Sequence, residues 1–180
     1  MRKPALFIAA AILLALTLAK PIAAPANPTA SGTLAVTATV ASSINLVFNT
    51  DASGVSLTGA GTNAATLAFG TVQAYGGALG ANVTRTVGAT SFTVSTPFDV
   101  NVAKANSSSG SYQLTAQLAS VDSTNTWQVG GVLVTGGSAA TITSTGAYAS
   151  NVAFTLALTV PFSEAAGSIS NTINFTATAN

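Results

Sequence analysis

The chain has 180 residues, 48% hydrophobic and only 5% charged, with five Lys and Arg, four Asp and Glu, and no His or Cys. These absences exclude disulfides, thiol chemistry, His- or Cys-based zinc sites and His-dependent catalytic triads. So few charges also argue against disorder of the polyelectrolyte kind.

Arg2 and Lys3 precede an apolar run over 5–19, and Ala24-Pro25-Ala26 has the small-x-small form of a cleavage site. Residues 1–26 therefore read as a secretory signal peptide. The run is shorter than the roughly 20 residues a spanning helix needs, which speaks against a membrane anchor. Removing it leaves Arg85 and Lys104 against Asp51, Asp99, Asp122 and Glu164. No basic patch then remains for nucleic acid or anionic lipid. The expected location is outside the cell or on a bacterial surface, reached through the periplasm.

A short polar linker over 27–32 is expected to lead into a single domain over 33–180. From there the hydrophobic period is close to two. Residues 33–41 place Leu34, Val36, Ala38 and Val40 on one face and Thr33, Thr37 and Thr39 on the other, predicting a first strand. Ile44, Leu46 and Phe48 continue it, and 49–54 reads as a turn. Short strands are predicted over 55–57 and 66–72, with a loop between them, and another over 82–87. Phe92, Val94, Phe98, Val100 and Val102 mark a long strand with Pro97 on the opposite face, a position that suits an edge or a bulge. Tyr112, Leu114, Ala116 and Leu118 form the next.

The stretch 127–134 reads as two short strands about Gly130-Gly131, a pair suited to a two-residue hairpin turn. Ile142 falls in a weak strand or loop. In 150–162 every second residue is apolar: Val152, Phe154, Leu156, Leu158, Val160 and Phe162. A final strand over 172–178 turns Ile173 and Phe175 inward.

About nine or ten short strands without helical periodicity argue an all-β, Ig-like antiparallel β-sandwich. A small outer-membrane barrel is the competing architecture. It wants strands of roughly 9–11 residues and aromatic girdles, and only the two longest strands reach that length. Either way, the outward faces carry Thr and Ala where Lys and Glu are usual. Charged edges guard sheets against edge-to-edge pairing, so this chain is suited to self-association by strand addition. A surface of Thr hydroxyls facing water is the simpler account of the same pattern.

The run Gly32-Thr-Leu-Ala-Val-Thr-Ala-Thr-Val-Ala-Ser-Ser-Ile-Asn-Leu46, the later Leu67-Ala-Phe-Gly-Thr-Val72 and the closing 168–178 resemble secreted bacterial fimbrial-type subunits. The nearest are the spore coat protein U group and its chaperone–usher pilin relatives. The resemblance implies an Ig-like sandwich completed by a donor strand from another subunit, with Phe69, Gly70 and Thr71 as structural positions and a periplasmic chaperone as a transit partner. Two departures stand out. Members commonly carry a disulfide near the first strand, where this chain has Ser42-Ser43. The leader 27–31 is too short and polar to donate, so donation falls to 33–41, or the fold completes itself.

No enzyme reading finds residues to rest on, and no cofactor is expected. Ser residues lack a base at motif spacing, and the four carboxylates lie apart in turns and on an outward strand face. Asn49-Thr-Asp51-Ala-Ser53-Gly54 mimics the opening of a calcium loop. Its twelfth position is Ala60, which supplies no carboxylate, so an Asx-type turn is the expected form. Three Asn-x-Ser/Thr sequons, at Asn82, Asn106 and Asn174, read as chance matches. Trp127 and Tyr148 are the candidate ligand-binding residues, able to stack on sugars if exposed and otherwise packing groups. The expected function is a secreted, non-catalytic structural subunit of a surface filament, pilus-like fibre or coat. A carbohydrate-binding or adhesive module is the alternative.

Overall fold

The computed structural model describes residues 30–180. The segment read as a signal peptide and the linker positions 27–29 lie outside the described residues. The chain forms β1 (Ser43–Asn49), β2 (Thr84–Val87), β3 (Ser91–Ala105), β4 (Tyr112–Leu118), β5 (Thr126–Val129), β6 (Val132–Val134), β7 (Ala140–Gly146), β8 (Asn151–Pro161) and β9 (Ile173–Ala179). All of them lie in one compact unit, Thr39–Asn180. One sheet runs β1-β3-β8-β5-β6, with β2 also on β3, and the other runs β7-β4-β9. Every pairing is antiparallel. Buried residues of both sheets, among them Val94 and Val100 of β3 and Leu114 of β4, belong to one core cluster. This is the sandwich arrangement, not a closed barrel.

The long strands form because their alternation matches the pleat. Along β3 the even-numbered residues from Phe92 to Val102 are buried and the odd ones are half-exposed. In β8, Leu156, Leu158 and Val160 are buried, with Phe154 half-buried on the same face. Phe162 departs from that series: it is 38% exposed and packs against Tyr75 with ring centroids 5.5 Å apart. Gly130 and Gly131 turn β5 into β6 with φ of 59° and 80°, the two positive values a tight hairpin requires.

Pro97 sits where its missing N–H costs nothing. β2 pairs with β3 only as far as Ser95, and β1 begins at Asp99. Gly54 and Val55 occupy the gap. Val55 N–H donates to Thr96 Oγ1 at 3.0 Å, and a Cβ on Gly54 would lie 2.1 Å from the Pro97 carbonyl oxygen.

Three expected strands are absent. Residues 33–41 are exposed and outside any strand, with Leu34, Val36 and Val40 at 88%, 81% and 71% exposure. Their alternation suits a strand, but a strand needs a partner ladder and a covered face, and neither is present among the described residues. The stretches expected over 55–57 and 66–72 are likewise irregular. Isolated bridges, Phe48↔Thr62 and Thr58↔Thr66, and side-chain bonds such as Leu57 N–H to Thr50 Oγ1 at 3.0 Å hold this region in place of a ladder, and Gly70, at φ 71°, breaks the extended run.

Candidate functional site

The site is an open flank of the sandwich. β9 pairs with β4 from Ala179 down to Ile173. Ala119 N–H donates to the Thr172 carbonyl at 2.8 Å, and Asn180 N–H to the Ser111 carbonyl at 3.0 Å. In an antiparallel ladder successive residues direct their backbone groups to opposite sides. The even positions of β9 therefore serve β4, while Ile173, Phe175, Ala177 and Ala179 turn N–H and C=O to the free edge. The side chains of Ile173, Phe175 and Ala177 face the core yet are only half-buried.

Beside this edge lies a cleft of about 750 Å³. Residues 65–72 form one wall and 167–173 the other, with Phe98, Leu156, Leu158 and Trp127 among the remaining lining. Three rings crowd the interior. Phe175 stands 5.2 Å from Phe48 and 5.9 Å from Phe98, both near edge-to-face, and Phe48 is 6.4 Å from Phe98. The cleft thus sets a cluster of aromatic rings beside an unpaired backbone edge, with Thr66, Thr71, Ser168, Ser170 and Asn171 also in its walls.

Three other edges are covered at least in part, whereas β7, the opposite edge of the same sheet, also lacks charge and proline along ATITSTG. At β1, Phe48 N–H donates to the Thr62 carbonyl at 2.9 Å, and its own carbonyl accepts from Gly61 N–H at 2.7 Å. On β2, Arg85 donates through Nη1 to the carbonyls of Gln73 at 2.7 Å and Gly76 at 2.6 Å, which pins a loop there. β6 is three residues long. β9 carries no charge and no proline along INFTATA, which leaves it without the usual devices against strand addition.

The two aromatic candidates do not form one platform. Trp127 is 6% exposed and lies opposite Leu158 on β8. Tyr148 precedes the start of β8 at Asn151, so about 23 Å of strand separates their levels at 3.3 Å per residue. Trp127 Nε1 donates to Asp122 Oδ2 at 2.8 Å, which locks the indole into the cleft wall. Burial raises the Asp122 carboxyl, but bonds from Asn125 N–H, Trp127 Nε1, Thr124 N–H and the Asn125 side chain outweigh it and leave it below the ordinary range. Tyr148 is half-buried. Its hydroxyl donates to the Ser111 carbonyl at 3.1 Å, its ring lies 5.4 Å from Tyr112, and Lys104 Nζ sits 4.9 Å from its centroid.

Folding also joins two carboxylates that the sequence keeps far apart. Asp51 and Asp99 come near enough to feel one another's charge, and Asp99 is raised by burial first and by Asp51 second. Asp51 is held low, chiefly by the Ser53 hydroxyl at 2.6 Å and then by Ser53 N–H at 2.7 Å. Those bonds are the Asx turn expected over 49–54. Asn151 bridges the pair's surroundings, donating to Asp99 at 3.3 Å and accepting from Asn49 at 3.1 Å and Asn101 at 3.0 Å.

No protein-family model matches the chain, and neither the curated proteins nor the solved structures yield a match.

Proposed function

We propose that this chain is a secreted, non-catalytic structural subunit of a bacterial surface filament or coat. Copies are joined when residues 33–41 of one enter the cleft beside β9 of the next. One observation carries the reading: the same chain holds an unguarded strand edge over a cleft lined by aromatic rings and an exposed, alternating segment that has no strand partner among the described residues. Each half is a liability alone, because exposed apolar patches and bare edges promote association. Together they are complementary. Strand addition satisfies the free backbone groups of β9 and buries Leu34, Val36 and Val40 in one step. An open trough also needs cover in transit, the service a periplasmic chaperone performs.

A Val36→Asp variant tests this. The wild-type chain is expected to form detergent-resistant fibres visible by electron microscopy. The variant is expected to remain as single copies with an unchanged unfolding midpoint, because position 36 lies outside the sandwich strands. Fibres from Val36→Asp equal to wild type would overturn the reading. So would wild-type protein that stays as single copies at high concentration, or a cell surface unchanged when the gene is removed.

A further inference from the structure

The strand-addition reading leaves the register of the incoming strand open, and the side chains along the cleft decide it. Inward-facing positions of β9 are Ile173, Phe175, Ala177 and Ala179. Those of the exposed segment, by its alternation, are Leu34, Val36, Ala38 and Val40. An inserted strand must match inward residue to inward residue, which restricts the register to steps of two. Phe175 is the tightest point, since its ring is already packed against Phe48 and Phe98.

We infer that the incoming strand runs antiparallel to β9 with Ala38 opposite Phe175, and that Ala38 is the residue that sets register and partner specificity. This inference rests on the strand-addition reading. The pairing puts Leu34 beside Ala179, Val36 beside Ala177, Ala38 beside Phe175 and Val40 beside Ile173. The smallest inward residue of the segment meets the largest of β9, and larger residues fall beside the two alanines. Facing positions that alternate large and small fill space without voids or strain. A shift by two in either direction sets Val36 or Val40 against Phe175. A parallel strand with Ala38 kept beside Phe175 carries Leu34 beyond the start of β9 and leaves Ala179 uncovered. The antiparallel register also places Thr37 beside Thr176 on the exposed face, a pairing that favours neighbouring strands.

The chain has no Cys, so disulfide trapping reads the register directly. Directly opposite residues come within bridging distance, whereas diagonal neighbours at roughly 7–8 Å do not. Full chains carrying Thr37→Cys with Thr176→Cys are expected to form covalent ladders between copies under mild oxidation. Chains with Thr37→Cys and Asn174→Cys, or with Thr37→Cys and Thr178→Cys, are expected to form fibres without ladders. Ladders from either of those pairs in place of 37/176 would overturn the register while leaving strand addition intact. If no pair forms fibres, or 37/176 closes within a single chain, the strand-addition reading fails and the register with it.

A second variant tests the role of Ala38. Ala38→Phe is expected to slow assembly at least tenfold with unchanged sandwich unfolding, while Val36→Ile assembles normally. Assembly of Ala38→Phe at the wild-type rate would overturn the assignment.

Discussion

Trp127 Nε1 donates to Asp122 Oδ2 at 2.8 Å, and this bond ties the chain's single tryptophan to the turn that precedes β5. The turn is held by the same carboxylate, which accepts from Asn125 N–H at 2.9 Å and Thr124 N–H at 3.1 Å. One side chain thus organises both a loop and one wall of the cleft. Asp122→Ala leaves a buried indole N–H without its acceptor, at a cost of about 1–3 kcal/mol. Chemical denaturation is expected to show that loss, with Trp127 emission moved to longer wavelength in the native state. An unchanged midpoint would mean that water replaces the carboxylate without penalty.

The core makes unequal demands on its phenylalanines. Phe98 is 5% exposed and touches the rings of Phe48, Phe154 and Phe175. Phe98→Ala is expected to cost about 3–5 kcal/mol, the range for a buried aromatic ring. Phe154 faces the same way but is half-buried, so Phe154→Ala is expected to cost less. Thr155 points outward and is exposed, and Thr155→Ala is expected to be nearly silent. Urea unfolding of the three variants checks the order. A Thr155→Ala loss equal to that of Phe154→Ala would contradict the face assignment of β8.

Gly54 fills the gap left between β1 and β2. A Cβ there would stand 2.1 Å from a backbone carbonyl oxygen, Pro97 O, and 3.3 Å from Asp51 Cβ. Backbone cannot yield as a flexible side chain does. Gly54→Ala is therefore expected to destabilise by about 1–3 kcal/mol, as overpacking does, even though Gly→Ala often stabilises where the conformation permits. A thermal midpoint at or above wild type would show that the gap relaxes freely.

The long strands were legible because their alternation is reinforced by burial. Phe92 to Val102 pairs with β8 on one side and with β2 and β1 on the other, and β8 pairs with β3 throughout and with β5 over Leu156–Thr159, so local pattern and tertiary demand agree. The Gly130-Gly131 hairpin was legible for a different reason: few other residue pairs tolerate two positive φ values. Residues 33–41 show the converse. Their pattern is as regular as that of β8, but alternation reports only that a segment suits a sheet, not whether a neighbour exists in the same chain. The cleft was invisible for the same reason, since an unpaired edge is a property of topology. Trp127 was open to two readings, a sugar-stacking group if exposed or a packing group, because alternation alone does not report exposure. Its indole turns inward opposite Leu158. The approach of Asp51 to Asp99 arises because the turn after β1 folds back toward β3, and no spacing of residues announces that.

That carboxyl pair gives the sandwich a dependence on pH. Burial and the neighbouring Asp51 raise Asp99 above the ordinary value of 3.8, while the Ser53 hydroxyl and N–H hold Asp51 below it. A carboxyl whose folded value is raised favours folding at low pH, where it is protonated in both states without penalty. It loses that advantage as pH rises through the raised value. Asp51 acts in the opposite sense, contributing above its unfolded value and losing that contribution as pH falls. Asp99→Asn removes the ionised partner and keeps an amide oxygen able to accept from Asn151. The variant is therefore expected to unfold at higher temperature than wild type at pH 7. The difference should shrink as pH falls toward about 3, below the ordinary carboxylate value. Thermal unfolding of both proteins from pH 3 to 8 follows the two curves. Parallel curves across that range would show that the Asp99 carboxyl is not raised in the folded protein.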